Sequence, residues 1–423
     1  MLDIKFIREN PDLIKDAARK KRIIFDVRKF LDIDKKRLEV LKEVEDLRAK
    51  QNAASDEVAK TQNEKEKETL IGNLKQLKME IMVKGDGFKE LEKVWRNMML
   101  HAPNIPDVSV PEGEDDSNNI EVRRWGNIPD FKKSGFEPKN HVELMQNLGW
   151  ADFERGSKVA GFRGYFLKKD GALLSFAVLR FVFEKMIANG FEPFIAPSLV
   201  REASLMGTGF LPQGKDEIYQ TQDEMYLSGT AEVPMMGMHK DEVLTADSLP
   251  KKYAAFSPCF RREAGSHGKD TKGLMRVHEF MKIEQVILCE ANHKESVKRH
   301  EELTANAENI MRELNLPHRV VVNCGGDLGL GQVKKYDIEA WVPSENRYRE
   351  THSSSYFHDF QTRRLNIRYQ DKDGKLRFAH SLNNTAIAVP RILIPLVENN
   401  QQKDGSIAVP EVLREYIGKD LLK

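Results

Sequence analysis

Apolar side chains recur at alternating steps of three and four residues in two stretches near the start of the chain. In the first stretch they are Phe30, Ile33, Val40, Val44, Leu47, Ala54 and Val58, with Arg37 and Gln51 as the exceptions. In the second they are Leu70, Leu74, Leu77, Ile81, Phe88, Leu91, Trp95 and Met98, with Lys84 as the exception. A period of about 3.5 residues on both sides of a short polar break predicts two long helices that pack on each other. Because one short loop joins them, we expect an antiparallel helical hairpin.

The second predicted helix contains an unfavourable sequence, Gly85-Asp86-Gly87. Glycine weakens a helix interior by about 1 kcal/mol relative to alanine, so we expect a kink or a local loop there. From periodicity alone, the favoured interpretation of the hairpin is a coiled coil that serves dimerisation or acts as a scaffold.

The pattern of residues along the sequence changes after the hairpin. Pro103, Pro106 and Pro111 end it, and an acidic, exposed linker follows. We therefore predict an N-terminal arm of residues 1–107 and a second domain of residues 108–423. In that domain helical segments at 173–189 and 294–314 alternate with strand-like stretches at 165–169, 192–198, 256–260, 319–323, 336–343 and 365–370. Their apolar and polar alternation predicts an α+β fold, with a largely antiparallel sheet flanked by helices.

Composition narrows the function classes only a little. The 423 residues carry a formal net charge of +1, so any nucleic-acid surface must be local. Three widely spaced cysteines argue against a disulfide framework and against a cysteine zinc cluster. The first residues lack the apolar core of a signal peptide, and no apolar stretch is long enough to cross a bilayer. We expect a cytoplasmic protein with no membrane association.

Candidate chemistry lies in four clusters of the second domain, at residues 230–232, 260–286, 336–355 and 382–402. Neither a glycine-rich dinucleotide fingerprint nor a P-loop is present, so ATP would have to be held in another way. In a strand, side chains two apart share a face, which would align Arg276, His278, Phe280, Lys282 and Glu284. Cations for phosphates and an aromatic plane for a base suit a nucleotide.

Two hard oxygen ligands, Glu350 and Ser353, are of the kind that Mg²⁺ accepts beside phosphates. The alternative is a set of ordinary surface ion pairs, since 31% of the residues are charged. For any single residue, a surface ion pair is the better interpretation. It does not explain why the whole set of charged residues in these clusters lies on predicted strands and beside glycines.

The segment 260–284 resembles motif 2 of the class II aminoacyl-tRNA synthetases, and its FRREAGSHGKDTKGLMRVHEF is similar to the seryl branch. The helix at 173–189 leading to Pro197 resembles motif 1, and residues 383–402 resemble motif 3 with its arginine at Arg391. GTGFLP at 207–212, the triplet at 230–232, the run at 353–364 and the hairpin also match the seryl type. The resemblance covers essentially the whole chain.

This resemblance implies a ligase that activates L-serine with ATP and transfers it to tRNA(Ser), and to selenocysteine tRNA as well in some members. It implies that the N-terminal arm grips the tRNA and that a homodimer forms through the motif 1 region around Pro197. The implied cofactor is Mg²⁺ at Glu350 and Ser353, with ATP as a substrate and with no zinc.

The resemblance also assigns site residues. The implied catalytic residues are Arg261, Arg276 and Arg391. Serine would contact Thr230, Ala231, Glu232, Arg261, Glu284, Asn383 and Thr385. ATP would contact Arg261, Arg262, Glu263, Arg276, Val277, Phe280, Glu350, Thr351, His352, Ser353 and Arg391.

Some positions depart from the family pattern. Thr351 and His352 stand where an apolar residue and serine are common, and His352 could contact a phosphate or face away. Asn384, Ala386 and Pro390 replace common glycines of motif 3. The rival functions are a paralogue that loads a carrier protein, a silent RNA-binding or scaffold relative, and a coiled-coil adaptor. The long arm argues against the first, and the three arginines argue against the second. The third leaves the four clusters of the second domain unexplained.

Overall fold

A computed structural model describes residues 1–265, 268 and 270–423. Ser266, His267 and Lys269, which belong to the stretch resembling motif 2, lie outside the described residues. By internal contacts the chain divides into two compact units. One comprises Leu2–Arg19 and Ile23–Pro103, and the other comprises Met1, Lys20–Arg22 and Asn104–Lys423. The domain boundary after residue 107 stays a prediction.

Helices and short strands alternate along the described chain. The helices are α1 (Ile4–Glu9), α2 (Pro11–Lys20), α3 (Val27–Lys60), α4 (Glu64–His101), α5 (His141–Asn147), α6 (Phe153–Ala160), α7 (Asp170–Ala188), α8 (Glu202–Thr208), α9 (Glu232–Gly237), α10 (His293–Glu313), α11 (Phe360–Leu365), α12 (Leu393–Asn399) and α13 (Glu411–Ile417). The strands are β1 (Ile120–Trp125), β2 (Ala151–Asp152), β3 (Phe166–Leu167), β4 (Glu192–Ile195), β5 (Leu199–Val200), β6 (Tyr219–Gln220), β7 (Tyr226–Leu227), β8 (Val243–Thr245), β9 (Lys251–Phe260), β10 (Glu279–Cys289), β11 (His318–Val322), β12 (Lys334–Val342), β13 (Arg347–His358), β14 (Arg368–Gln370), β15 (Leu376–Phe378), β16 (His380–Val389), β17 (Ile407–Ala408) and β18 (Leu421–Leu422).

The predicted hairpin is confirmed as α3 and α4, which pack antiparallel. The rings of Phe30 and Trp95 stack with centroids 6.4 Å apart, and further along Arg37 Nη1 lies 3.0 Å from Glu92 Oε2. Every position of the predicted seam is buried or half-buried, including the exceptions. Arg37 stays in the seam because its guanidinium lies over the Trp95 ring, 4.3 Å from the centroid.

Of the two expectations for Gly85 and Gly87, the local loop is wrong, because α4 is continuous from Glu64 to His101, and the kink stays a prediction. Half-buried Ile81 and Phe88 lie on either side of the glycines and pack in the seam. Packing of an apolar stripe contributes more to a long helix than the intrinsic preference of two residues, so the helix persists.

The second unit is built on an eight-stranded sheet in the order β1-β11-β12-β13-β16-β10-β9-β4. All neighbours are antiparallel except β4 and β9, which confirms the predicted sheet. The predicted strand at 365–370 is shorter than expected: Leu365 ends α11, and Asn366 follows it in the left-handed conformation with φ of 55°. Asparagine tolerates that conformation and therefore stops the helix here.

The two faces of the sheet bury different clusters. On β10, Ile283 and Ile287 point into the main core, which includes residues of α7 and α10. Val286 and Leu288 point the other way, into a smaller core with residues of α9. The C-terminal end of β10 is therefore apolar on both faces. Towards its N-terminal end, the face that carries Val286 and Leu288 has polar side chains instead. No helix among the described residues is long and apolar enough to cross a membrane.

Candidate active site

A cavity of about 460 Å³ opens on the sheet face that carries the polar end of β10. Side chains of β10, β12, β13 and β16 line it, together with the segments that precede β10 and follow β16. Most residues expected to bind ATP or serine lie here: Thr230, Glu232, Arg261, Glu263, Arg276, Val277, Phe280, Glu284, Glu350, Thr351, Ser353, Asn383, Thr385 and Arg391. The structure therefore brings together side chains from four separate sequence clusters.

One end of the cavity is rich in arginine. Arg391 Nη1 lies 3.3 Å from the Glu350 carbonyl oxygen and 3.7 Å from its Oε2, while Arg391 Nε donates to the Met275 carbonyl at 3.1 Å. The Arg261 guanidinium lies over the Phe280 ring, 5.2 Å from the centroid. These contacts hold planar cations around an aromatic face, which suits phosphates beside a base.

Arg276 is held by two carboxylates. Its Nη1 lies 3.1 Å from Glu263 Oε2, and its Nε lies 3.2 Å from Asp270 Oδ2. Asp270 also accepts from Arg349 Nη2 at 2.7 Å. Because Glu263 adopts a φ of 53°, unusual for a residue with a side chain, this turn is a strained one.

A β-bulge brings Glu350 and Ser353 to the same face of β13. Glu350 pairs with Glu339 of β12, whereas Ser353 pairs with Asp337, so the ladder skips Thr351. Residues three apart in a regular strand would face opposite ways. Because the bulge adds one residue between them, Glu350 and Ser353 face the same way, and both line the cavity.

The other end of the cavity contains buried charges. Lys282 Nζ donates to Thr230 Oγ1 at 2.7 Å and forms an ion pair with Glu284 Oε2. Thr385 Oγ1 also approaches Glu284 Oε2, at 3.4 Å. Glu232 is buried nearby and accepts from Gln361 Nε2 at 2.6 Å. This end can match a small zwitterion that carries an additional hydrogen-bonding group.

Two carboxyl groups of the cavity have opposite pKa shifts. Burial raises the pKa of Glu232 to about 7, and nearby Glu284 adds to the rise. For Glu350 burial acts in the same direction, but the positive charges of Arg391 and Lys335 outweigh it and lower the pKa. Glu350 is therefore an anion at neutral pH, and Glu232 is poised between its two states.

Three predicted binding residues do not line the cavity. Ala231 is fully buried in the smaller core, and the backbone N–H of Arg262 donates to the Glu217 carbonyl at 3.0 Å. His352 lies on the opposite side of the bulged strand, with Nδ1 2.8 Å from Thr351 Oγ1, so it faces away. Of the two orientations expected for His352, the structure has the one that faces away and not the phosphate contact, because the bulge inserts Thr351 and not His352 into the cavity wall.

His278 was also expected on the cavity face and is not there. It lines a separate hollow with Tyr219 and Tyr165. The alternation used to place it belongs to a strand, but β10 begins only at Glu279. In the loop before it, consecutive Arg276 and Val277 both reach the cavity.

Sequence reasoning missed part of the wall. Lys335 and Gln332 line the cavity, as do Thr208, Gly209 and Phe210. Lys335 Nζ lies 3.0 Å from Asp337 Oδ2. The only advance signal was the GTGFLP match, because the doublet Lys334-Lys335 reads as an ordinary charged strand end.

Of the departures in motif 3, Asn384 and Ala386 lie behind the cavity wall, whereas Pro390 lines the cavity. Asn384 is buried, where its Oδ1 accepts from Gln285 at 2.6 Å and its Nδ2 donates to the Ser353 carbonyl at 3.0 Å. Ala386 is skipped in the ladder with β10. Asn384 thereby supports Ser353 without entering the cavity itself.

The side chains of Glu350 and Ser353 in the cavity wall fit Mg²⁺ beside phosphates. An ionised carboxylate and a hydroxyl are hard oxygen ligands, and Mg²⁺ usually completes its shell with water and substrate phosphates. A metal site built entirely from protein side chains is not found: within residues 1–265, 268 and 270–423, no group of three or more His, Cys, Asp and Glu side chains is arranged to hold a metal.

Two family models match the chain. The seryl-tRNA synthetase N-terminal domain covers residues 1–106, and the tRNA synthetase class II core domain (G, H, P, S and T) covers residues 216–400. The chain is similar to a serine–tRNA ligase of Deinococcus radiodurans, with 46% identity over 99% of this chain and 98% of that protein. A serine–tRNA ligase of Caldicellulosiruptor saccharolyticus is 45% identical over 100% of both proteins.

Solved structures give the same result. Seryl-tRNA synthetase from Pyrococcus horikoshii, complexed with ATP, superposes with a TM-score of 0.91 at 39% identity, covering 100% of this chain and 99% of that one. A cytoplasmic serine–tRNA ligase from Naegleria fowleri, in complex with AMP, gives 0.87 at 32% identity with the same coverage. Because the similarity extends over both the helical arm and the catalytic core, the chain belongs to the seryl-tRNA synthetase family.

Proposed function

We propose that this chain is a serine–tRNA ligase that activates L-serine with ATP and transfers the seryl group to tRNA(Ser). The observation that carries the proposal is a single cavity with an arginine-rich end and an end lined by Lys282, Glu284 and Thr230. Relatives over the full length are serine–tRNA ligases, and one related structure is complexed with ATP. The same chemistry on selenocysteine tRNA is part of the proposal, and the cytoplasm is its proposed location.

ATP is proposed to bind at the arginine-rich end. Phe280 stacks on adenine, Arg391 covers the other side of the base and reaches the γ-phosphate, and Glu263 accepts from the adenine amino group. Arg261 contacts the α-phosphate and the serine carboxylate, and Arg276 contacts the β- and γ-phosphates. For Arg276 and Glu263 this requires that ATP replaces their mutual ion pair.

Serine is proposed to bind at the other end, among Thr230, Glu232, Glu284, Asn383 and Thr385. Glu284 accepts a hydrogen bond from the serine hydroxyl. Alanine lacks that hydroxyl, so its binding would leave a buried carboxylate without its partner. Sites built to hydrogen-bond a substrate hydroxyl reject the analogue that lacks it by large factors.

The reaction has two steps. A serine carboxylate oxygen attacks the α-phosphorus in line, the bond to the pyrophosphate oxygen breaks, and seryl-adenylate forms. A hydroxyl of the terminal tRNA ribose then attacks the seryl carbonyl carbon, and AMP leaves. No protein nucleophile is needed, because arginines aimed at the phosphates and fixed substrate positions lower the barrier.

Glu350 and Ser353 are proposed to hold Mg²⁺ against the phosphates. Bound there, the ion would neutralise charge on the phosphate oxygens and orient the leaving pyrophosphate. Glu350 suits this role because Arg391 and Lys335 keep it ionised against the effect of burial. The proposal includes no zinc.

Two macromolecular partners complete the proposal. The arm formed by α3 and α4 binds tRNA, in keeping with the match of its residues to the family's N-terminal domain. A second copy of the chain covers the apolar surface around Pro197, the motif 1 surface, where Leu173, Phe176 and Ile195 are 53%, 64% and 82% exposed. Exposed apolar side chains at this density are typical of an interface between subunits.

The test is serine-dependent exchange of pyrophosphate into ATP by the purified protein with Mg²⁺. The expected result is exchange with serine and none with alanine. Addition of tRNA with a long variable arm should then give seryl-tRNA, which a carrier-loading paralogue would not produce. A folded protein without exchange would contradict the proposal.

A further inference from the structure

Lys282 is a buried cation in the serine end of the cavity, and no step of the proposed reaction uses it. It is 4% exposed and lies on β10, two residues before Glu284. Its ammonium donates to Thr230 Oγ1 at 2.7 Å and pairs with Glu284 Oε2. A lysine is rarely buried to this extent unless it is paired, so the pair is a built feature of the cavity.

The cavity offers two buried carboxylates to a substrate, and they differ in what already binds them. Among the described residues, Glu284 is bound through Oε2 by the Lys282 ammonium and by the Thr385 hydroxyl. Glu232 accepts from the neutral Gln361 amide. The charge of Glu284 is therefore matched by a lysine in direct contact. Glu232 instead has hydrogen bonds from the neutral Gln361 and Asn383 amides and is affected by Lys282 only as a more distant charge.

Serine also presents two different donors, a charged ammonium and a neutral hydroxyl. An ammonium next to Glu284 would lie close to the Lys282 ammonium, and like charges at such separations in a buried site repel strongly. A hydroxyl beside the pair meets no such repulsion and can donate to the carboxylate oxygen that Lys282 does not occupy.

We propose that Lys282 is a specificity-determining residue, which reserves Glu284 for a neutral hydroxyl and directs the substrate's ammonium to Glu232. The inference rests on the proposed function, since it takes serine as the substrate. By this account the pair excludes L-2,3-diaminopropionate, in which an amine replaces the serine hydroxyl, although the two molecules have nearly the same shape.

Removal of the lysine charge should reverse that preference. In Lys282→Met the buried Glu284 carboxylate loses its counter-ion, and an unpaired buried carboxylate attracts a cation. The side-chain ammonium of diaminopropionate can supply that charge. We expect the ratio of kcat/KM for diaminopropionate to that for serine to rise by roughly tenfold or more, as for other buried charge pairs that lose one partner.

The experiment is pyrophosphate exchange at pH 6, where the side-chain amine of diaminopropionate is protonated. The ratio of the two substrates cancels any common effect of that pH on Glu232. Lys282→Arg keeps the positive charge and should keep the native ratio. The double variant Lys282→Met/Glu284→Gln should lose the gain, because the carboxylate that attracts the amine is gone.

Lys252→Met is the matched control, since Lys252 also pairs with a glutamate, Glu302, at 2.6 Å and lies on the adjacent strand β9 outside the cavity. It should leave the ratio unchanged. If Lys282→Met does not fold, Lys282→Gln and Lys282→Arg carry the same comparison. If Lys282→Met lowers serine activation but leaves the ratio of diaminopropionate to serine unchanged, the lysine has a purely structural role. That result would overturn the inference but not the proposed function. Native protein that fails to exchange with serine would overturn the proposed function as well.

Discussion

Glu350 and Ser353 face the same cavity although they are three residues apart in β13. The ladder with β12 passes from His352 to Glu350 and skips Thr351, so the strand gains one residue between the two side chains. Bulges are common beside active sites, where they re-aim a side chain. Here the bulge places a carboxylate and a hydroxyl on the same face of β13 beside Arg391.

The first prediction concerns that pair of ligands. Glu350→Gln removes the negative charge that would bind Mg²⁺, and we expect the Mg²⁺ concentration for half-maximal pyrophosphate exchange to rise by about tenfold or more. The KM for serine should change much less, because Glu350 lies at the arginine-rich end. A titration of exchange with Mg²⁺ at saturating ATP and serine measures the effect.

Glu411→Gln is the control for this variant, because Glu411 is exposed on α13 away from the cavity. It should titrate like the native protein. An unchanged Mg²⁺ requirement in Glu350→Gln would remove Glu350 from the metal site.

The second prediction is a pH dependence of serine binding. Burial raises the pKa of Glu232 to about 7, and a carboxylate must be ionised to attract the serine ammonium. As pH falls through this pKa, Glu232 becomes protonated, and kcat/KM for serine should fall by roughly tenfold per pH unit below it. Above pH 7 the value should level off until other groups titrate.

Glu232→Gln tests the assignment. The variant should show a low kcat/KM for serine that no longer varies between pH 6 and pH 8, because the amide does not titrate there. A pH profile that keeps its native shape in this variant would assign the transition to another group.

Regular periodicity predicted the elements, and departures from it marked the site. The seam positions from Phe30 to Met98 followed from sequence because one rule, a buried stripe on a helix, governs all of them. The face of Ser353 could not be derived in that way, since alternation would have placed it opposite Glu350. The two residues were grouped by their ligand chemistry and by the resemblance, and not by strand alternation.

The errors and omissions have similar local causes. His278 was misplaced because strand alternation was extended into a loop, and the strand begins only at Glu279. Lys335 was missed because its role as a cavity wall depends on Asp337 and on neighbouring strands, which no local pattern reveals. Contacts between distant segments, such as Lys282 with Thr230, required the structure.

The third prediction concerns the dimer. Ile195→Glu or Phe176→Glu places a charge on the apolar surface around Pro197 and should convert the dimer to a monomer, as measured by light scattering after size exclusion. The cost of burying an unpaired carboxylate in an interface exceeds what one lost apolar contact accounts for. Val243→Glu is the control, because Val243 is also exposed, at 49%, but lies on β8. If the control dissociates and the other two do not, the interface lies elsewhere.

The fourth prediction separates activation from charging. Deletion of residues 28–101, with a short linker in their place, removes the arm but no residue that lines the cavity. Serine-dependent pyrophosphate exchange should remain within a few-fold of the native rate, whereas aminoacylation of tRNA(Ser) should be lost. Equal loss of both activities in a folded variant would contradict the division of roles.

The last prediction concerns the glycines of the arm. Because α4 is continuous at Gly85 and Gly87, and a Cβ added at either meets no atom within 4 Å, alanine fits without strain. Alanine in a helix interior is more favourable than glycine by about 1 kcal/mol, so Gly85→Ala and Gly87→Ala should each stabilise the arm by roughly that amount. Urea unfolding followed by circular dichroism measures the difference. Gly190→Ala, at φ of 80°, is the opposite control and should destabilise its own unit, because that backbone conformation disfavours a side chain. Unchanged stability in both arm variants would mean that the helix is interrupted at the glycines in solution.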